Sequence, residues 1–576
     1  MGLHMSFCQT FQDTVAKHPT RIALRNSEGT VVITYAEYAK RVHQIAAGFH
    51  ELGVRRGDTV ALMLTNRPEF HLVDTALLHL GAVPFSVYNT SSVDQIAYLF
   101  ENAGNSVVMC EEQFLGTIAE AAGKVRGKIE HILKVEELAD LEQSDGDDFD
   151  FEASWRAVEP DDLMTIIYTS GTTGPPKGVE LTHANVAFSI ESALKVPEIS
   201  RAAEGTRALS YLPDAHLANR WLAHYVPVAM GMTVTTLADT KQLAPTIAAL
   251  KPTMLLGVPM VWYKFKAGLE AAVAAEEGPK AKLINWALDV GSQQADALIA
   301  GRSMPPLLKA QHAIADKLVL SKLRERVGLD QMLLAVSGAA PVSPDALKFF
   351  ISLGLPMAEG WGMSESCLVG TLTPLEHPRP GTVGKPLPGV EVRIADDGEL
   401  LVKSAGVMRG YRNSPAQTAE AIDPEGWLHT GDVATIDQDG YVVIVDRKKE
   451  LIINAAGKNM SPTNIESAIQ VECGLIGSVI AIGDLRPYVT ALVCLDPEAS
   501  ADVDDAAALV QVEAAVERAN AGLSRVEQIK RFKIVPNAWE AGGDELTPTM
   551  KLKRKPIAEK YSDLIDELYA TDDRKK

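Results

Sequence analysis

Tyr168-Thr169-Ser170-Gly171-Thr172-Thr173-Gly174-Pro175-Pro176-Lys177-Gly178 closes an apolar run at 163–169 (LMTIIYT). The order is strand, then a loop dense in hydroxyls and glycines, then a lysine. Glycines let backbone N–H groups approach phosphate oxygens, hydroxyls donate hydrogen bonds, and lysine offsets polyphosphate charge. A Walker loop would end in Gly-Lys-Ser/Thr, whereas here Pro176 precedes Lys177 and Gly178 follows it, so a different triphosphate loop is expected. A plain surface turn accounts neither for the strand in front nor for so many hydroxyls.

Outward from this loop, helical and strand patterns alternate from residue 20 to about 440, which predicts layered α/β structure. Residues 59–64 (TVALML), 254–258 and 332–336 read as further buried strands. The acidic stretch 136–152 is expected as an exposed connection, and 263–328 as mainly helical with a break at Pro305-Pro306. After Gly381 the pattern shifts to short strands and tight turns (399–403, 441–445), a small β-rich subdomain spanning 381–446. The charged junction Asp446-Arg447-Lys448-Lys449-Glu450 separates residues 1–446, the N-terminal domain, from an α+β module at 451–576. In that module Ser461 is the expected N-cap of a helix that starts at Pro462, with strands near 478–482 and 489–495 and a helix near 504–523.

The composition, 576 residues with 46% hydrophobic and 23% charged, supports cores in several domains. A net charge of −20 argues against a protein built mainly to hold nucleic-acid backbone, while a local basic patch could still bind the phosphates of a small ligand. Cys8, Cys110, Cys367, Cys473 and Cys494 form no CxxC pair, so small core residues in a reducing cytoplasm are expected rather than disulfides or zinc. No apolar run reaches the ~18 residues of a membrane span, and the N-terminus lacks a signal-peptide layout.

Further motifs follow in order: Ser337-Gly338-Ala339-Ala340-Pro341, then Glu359-Gly360-Trp361-Gly362-Met363-Ser364-Glu365, then Gly426-Trp427-Leu428-His429-Thr430-Gly431-Asp432, and Glu545-Leu546-Thr547-Pro548-Thr549-Met550-Lys551-Leu552-Lys553-Arg554 near the end. With the loop at 168–178 they resemble, over nearly the whole chain, the adenylate-forming superfamily of acyl-CoA synthetases, luciferases and peptide-synthetase adenylation domains. The resemblance implies that Thr169, Ser170, Gly171, Thr172, Thr173, Gly174 and Lys177 hold the phosphates. It places adenine against Gly338 and Ala339 and under Trp361, with Gly362 and Ser364 completing that motif. Glu365, with Thr169, would hold Mg2+, and Asp432 with Arg447 the ribose. Lys449 matches the hinge, giving 447–450 as hinge and a mobile C-terminal domain. Lys551 matches the adenylating lysine, while Lys553, Arg554 and Lys555 are expected in solvent, as is Lys448. Relatives usually carry Tyr and Thr where this chain has Trp361 and Ser364; both swaps keep the stacking face or the hydroxyl.

The expected chemistry is attack of a carboxylate on the α-phosphate of ATP, then attack of the CoA thiol on the acyl-adenylate. The stretch 448–466, the end motif and Tyr211-Leu212-Pro213-Asp214-Ala215-His216 resemble the long-chain fatty acyl-CoA synthetase branch, which implies a medium- or long-chain fatty acid with His216 flanking it. Asp214 replaces a usual apolar residue, and Ile453 a lysine found in many short-acid and aryl-acid members, so a steroid side-chain or aryl acid stays open. A carrier-loading acyl-AMP ligase would carry an insertion for which the span between Gly370 and Gly381 leaves no room. Partners expected are the acid and CoA, no nucleic acid, with homodimerisation and transient contact with a membrane surface left open; no amphipathic anchor is evident.

Overall fold

The computed structural model describes residues 6–125, 127–143, 149–169, 175–203, 206–453, 459–540, 542–547 and 551–570. It is mixed α/β, with a large N-terminal domain and a smaller C-terminal one. Four parallel strands, ordered Val83–Ser86, Thr59–Met63, Val107–Cys110, His131–Lys134, form one sheet. Every residue of Thr59–Met63 is buried, as continuous apolar runs covered on both faces require. A second sheet runs Met254–Gly257, Leu334–Ser337, Met357–Trp361 in parallel and continues antiparallel through Thr371–Leu372 and Lys385–Pro386. Its strands Leu334–Ser337 and Met357–Trp361 lead at their carboxyl ends into the SGAAP and WGMSE motifs, where open α/β sheets place ligands.

The phosphate-loop strands Leu163–Thr169 and Lys177–Thr182 pair as an antiparallel hairpin, and Gly410–Tyr411 adds to its edge. The β-rich unit is an antiparallel sheet of Glu391–Ile394, Glu399–Lys403, Leu428–Ile436 and Val442–Arg447. The C-terminal sheet, Ile476–Ile482, Val489–Leu495 and Ile529–Ile534, shows period-two burial on both faces. Val479, Ala481, Ala491 and Val493 pack under Pro462–Gln470 and Asp505–Gly522. Ile480, Leu492 and Cys494 meet Ile557, Ile565 and Leu568 of the last two helices. Ser461 caps Pro462–Gln470 through Asn464 N–H at 3.1 Å, as its position before proline predicts.

Helices Pro259–Ala274, Gly278–Ile299 and Pro306–Ala315 fill the middle of the chain, broken before Pro306 as expected. All five cysteines are free and buried. The acidic stretch differs from expectation. It contains the short helices Leu138–Leu141 and Phe151–Arg156, and Phe149 and Phe151 stack on His50 and on His43 and His79. Averaged acidity hid two aromatic anchors; residues 144–148 lie outside the described part. No described helix is long and apolar enough to cross a membrane.

Candidate active site

Thr169 and Lys177 are cross-strand partners at the mouth of the hairpin, and Thr169 Oγ1 donates to the Lys177 carbonyl at 3.4 Å. Ser170, Gly171, Thr172, Thr173 and Gly174 lie outside the described residues. Lys177 Nζ sits 4.6 Å from the centre of the Tyr411 ring, a cation–π distance. The Tyr411 hydroxyl donates to Glu365 Oε1 at 2.9 Å. Burial, and then the Glu365 carboxylate, push the phenol pKa up, so Tyr411 stays a protonated donor. Sequence reasoning missed Tyr411: its strand reaches Lys177–Thr182 only by tertiary pairing, Tyr411 opposite Val179.

Glu365 is buried in the turn Ser364–Ser366, and its carbonyl accepts Met408 N–H at 2.8 Å. The chain leaves this turn through two left-handed residues, Cys367 (φ 52°) and Leu368 (φ 61°), an uncommon pairing for side-chain-bearing residues. Leu368 folds back to bond Met363, and a Cβ at Gly362 would stand 2.3 Å from the Leu368 carbonyl. Gly362 is therefore a steric requirement of the loop.

Trp361 Nε1 donates to Asp432 Oδ2 at 2.8 Å, and Arg447 Nε lies 2.7 Å from Asp432 Oδ1. Asp432 and Arg447 face each other across Leu428–Ile436 and Val442–Arg447. Burial pushes the Asp432 pKa up; Arg447, the Trp361 bond and Lys551 oppose it. Each carboxylate oxygen keeps a further lone pair for a ligand hydroxyl. Gly338 and Ala339 follow Leu334–Ser337, Ala339 in the left-handed region at φ 69°. Beside them, cross-strand partners Ser337 and Glu359 bury Oγ and Oε2 with no hydrogen-bond partner among the described residues, and burial pushes Glu359 up to about 8.

Lys551 enters from the C-terminal domain on a turn tied by Lys551 N to Thr547 Oγ1 (3.0 Å) and Thr547 N to Lys551 O (2.8 Å). Its side chain is reached by solvent yet walled by protein on several sides. Desolvation by those walls lowers its pKa and Arg447 adds to this, while Asp432, Glu365 and Glu450 oppose it. Lys551 also bears on His216, whose pKa falls to about 4, first through burial and then through the lysine's charge. His216 Nδ1 accepts Ala218 N–H at 3.1 Å as N-cap of Leu217–Arg220, which assigns the ring proton to Nε2. Thus Glu365, Asp432, Arg447, Lys551 and His216 share one electrostatic neighbourhood. Asp214, two residues before His216, accepts from Asn219 Nδ2 at 2.7 Å and is pushed by burial up to about 7.

Around the junction, Lys449 is exposed. Lys448 is less free than expected, lying 2.5 Å from Asp397 and 3.2 Å from Glu399. Asp446 reaches across the junction to accept the Ser461 hydroxyl at 2.6 Å and the Thr463 hydroxyl at 3.2 Å. Arg554 corrects the sequence reading. Rather than facing solvent, it grips Glu466 with both terminal nitrogens (2.5 and 2.9 Å) and Glu450 with Nε (3.1 Å). A KLKR run reads as solvated because its partners lie 88 and 104 residues away. Lys555 is exposed as expected, and Lys553 Nζ is capped by the Gly543 carbonyl at 2.7 Å.

Among the described residues no cluster of three or more His, Cys, Asp or Glu could hold a metal. A buried carboxylate beside a phosphate loop still suits Mg2+, which binds through one or two carboxylates plus substrate phosphates.

Residues 11–412 match the AMP-binding enzyme family and residues 449–573 the AMP-binding enzyme C-terminal domain. The chain is 51% identical to fadD11 of Mycobacterium tuberculosis, over 74% of this chain and 77% of that protein. It is 36% identical to the long-chain-fatty-acid–CoA ligase FadD15 of Mycobacterium bovis, covering 93% and 92%. Its fold matches the adenylation domain of a carboxylate reductase from Mycobacterium chelonae, with a TM-score of 0.75, 22% identity, and 99% and 92% of the two chains covered.

Proposed function

Because this chain belongs to the AMP-binding enzyme family, we propose that it activates a medium- or long-chain fatty acid with ATP to acyl-AMP and transfers the acyl group to CoA, releasing pyrophosphate and AMP. The observation that carries the reading is Lys551 brought from the C-terminal domain into the neighbourhood of Glu365 and Asp432. The similarity to FadD15 supports a fatty acid as substrate.

The hairpin loop with Lys177 cradles the triphosphate, Trp361 stacks on adenine, and Asp432, held by Arg447 and Trp361, accepts from the ribose hydroxyls. The acid's carboxylate oxygen attacks the α-phosphorus in line, and the bond to pyrophosphate breaks. Lys551, a mobile point charge, meets the negative charge that develops on the leaving group. Glu365, aided by Thr169, would hold Mg2+, which when bound neutralises phosphate charge. His216 offers its Nε2–H at the acyl side. For the second step the thiolate of CoA attacks the acyl carbon and AMP leaves. That step needs Lys551 replaced at the site, and rotation of the 451–576 domain about 447–450, with Lys449 as hinge, supplies the exchange.

The test is CoA-dependent AMP formation from ATP across acids from acetate through palmitate to aryl and steroid acids. A maximum at medium or long fatty chains is expected. Pyrophosphate release without thioester would replace this reading with a carrier-loading ligase, and a maximum at an aryl or steroid acid would overturn the substrate class.

A further inference from the structure

Asp446 lies at the end of the strand Val442–Arg447, immediately ahead of the junction, yet most of its hydrogen bonds are made with residues beyond that junction. Oδ2 accepts the Ser461 hydroxyl at 2.6 Å and the Thr463 N–H at 3.2 Å, and Oδ1 accepts the Thr463 hydroxyl at 3.2 Å. Among the described residues only the Arg447 N–H, at 2.7 Å, comes from its own side. Asp446 is buried, so these donors satisfy a charge that burial alone would disfavour.

Local capping does not require this carboxylate. The helix Pro462–Gln470 has a cap of its own in Ser461, whose Oγ accepts the Asn464 N–H at 3.1 Å. Asp446 adds a full negative charge at the same helix N-terminus, where the dipole favours it, and supplies it from across the junction. The grip then passes along the helix. Glu466, one turn on, holds Arg554 through both of its oxygens (2.5 and 2.9 Å), and Arg554 stands three residues after Lys551. Arg554 Nε also reaches Glu450 of the junction at 3.1 Å. A continuous path of charge-assisted bonds thus runs from Asp446, through the helix, to the segment that carries Lys551.

We propose that Asp446 is a positioning residue, a latch that holds the C-terminal domain in the orientation that presents Lys551 to Glu365 and Asp432. The inference rests on the two-step reading above. Turning 451–576 about 447–450 separates Asp446 from Ser461 and Thr463, so three bonds break together and the carboxylate must find water instead. The latch therefore sets the balance between the adenylating orientation and the one that serves the thiol step.

Asp446→Asn and Thr463→Val weaken the latch from its two sides. In each full-length variant, pyrophosphate release from ATP and palmitate is expected to fall by on the order of tenfold, as for lost hydrogen bonds to a charged group. Conversion of preformed palmitoyl-AMP and CoA to palmitoyl-CoA should stay at or above the wild-type rate. The double variant should lose little more than either single one, because both remove the same interaction. Orientation is read without any chemistry: Lys264 and Asp496, which pair at 3.3 Å between the domains, are replaced by cysteines and bridged with a short bismaleimide, the five native cysteines being buried. Bridging is expected to slow several-fold when Asp446→Asn is added. Equal loss of both half-reactions, or half-reactions and bridging that keep wild-type values, overturns the latch. A wild type that releases no pyrophosphate with any acid would overturn the reading of the reaction instead, and the bridging rate would still decide the latch.

Discussion

At the scale of single residues, the indole N–H of Trp361 reaches Asp432 Oδ2 at 2.8 Å, a bond for which a phenol ring in that position has no N–H. The residue proposed to stack on adenine and the carboxylate proposed to hold the ribose are thereby joined without any ligand. Trp361→Phe keeps an aromatic face and loses the donor. A hydrogen bond to a charged group is worth about 1.5 kcal/mol or more, and this one is made without nucleotide, so its loss should lower the free energy of urea unfolding by about that much; an unchanged unfolding free energy would show that the bond contributes nothing to holding Asp432. Glu359 makes a separate prediction. Burial holds its native pKa near 8, above the ordinary 4.5, so the native state binds the proton more tightly than the unfolded one. The stability this lends is full below 4.5 and lost as pH rises through about 8. Glu359→Gln should flatten the decline of urea midpoint between those values, whereas parallel declines would contradict it. The motif residues themselves were legible because each sits in a short run whose composition serves one task, as hydroxyls and glycines do around Thr172. Arg554 was not, because burial depends on carboxylates far along the chain.

Among elements, the two-residue strand Gly410–Tyr411 is decisive for the site, since its pairing with Lys177–Thr182 sets Tyr411 between Lys177 and Glu365. Tyr411→Phe should leave the fold intact and free Glu365 of its donor. The expected result is a several-fold shift in the Mg2+ concentration that gives half-maximal pyrophosphate release; an unmoved Mg2+ titration would show that the bond does not position Glu365. Runs such as 59–64 and 254–258 announced themselves as strands, because strands buried on both faces are apolar throughout. Which strand lies beside which was not legible: Met254–Gly257 pairs with Leu334–Ser337 across a long helical excursion, and nothing local encodes that neighbour. Phe149 and Phe151 show the opposite failure, where an acidic window concealed residues that anchor it.

Over the whole molecule, the C-terminal domain is seated on the N-terminal one at several points. Lys264 pairs with Asp496 at 3.3 Å, a side chain at Gly542 (φ 78°) would collide with Thr90, and Glu450 of the junction is held by Arg554. This seating brings Lys551 into the electrostatic neighbourhood of Glu365 and Asp432, and only the order of motifs hinted at it. With a pKa below the ordinary 10.5, Lys551 should lose its charge early, so adenylation should fall on an alkaline limb below the usual lysine range; a rate flat to pH 10.5 would deny it that role. The most direct test compares the two half-reactions of Lys551→Ala. Pyrophosphate release from ATP and palmitate should drop by about 10²-fold or more, while conversion of preformed palmitoyl-AMP and CoA to palmitoyl-CoA should stay within a few-fold of wild type. Undiminished pyrophosphate release, or equal loss of both half-reactions, would contradict an adenylating lysine that the domain rotation exchanges.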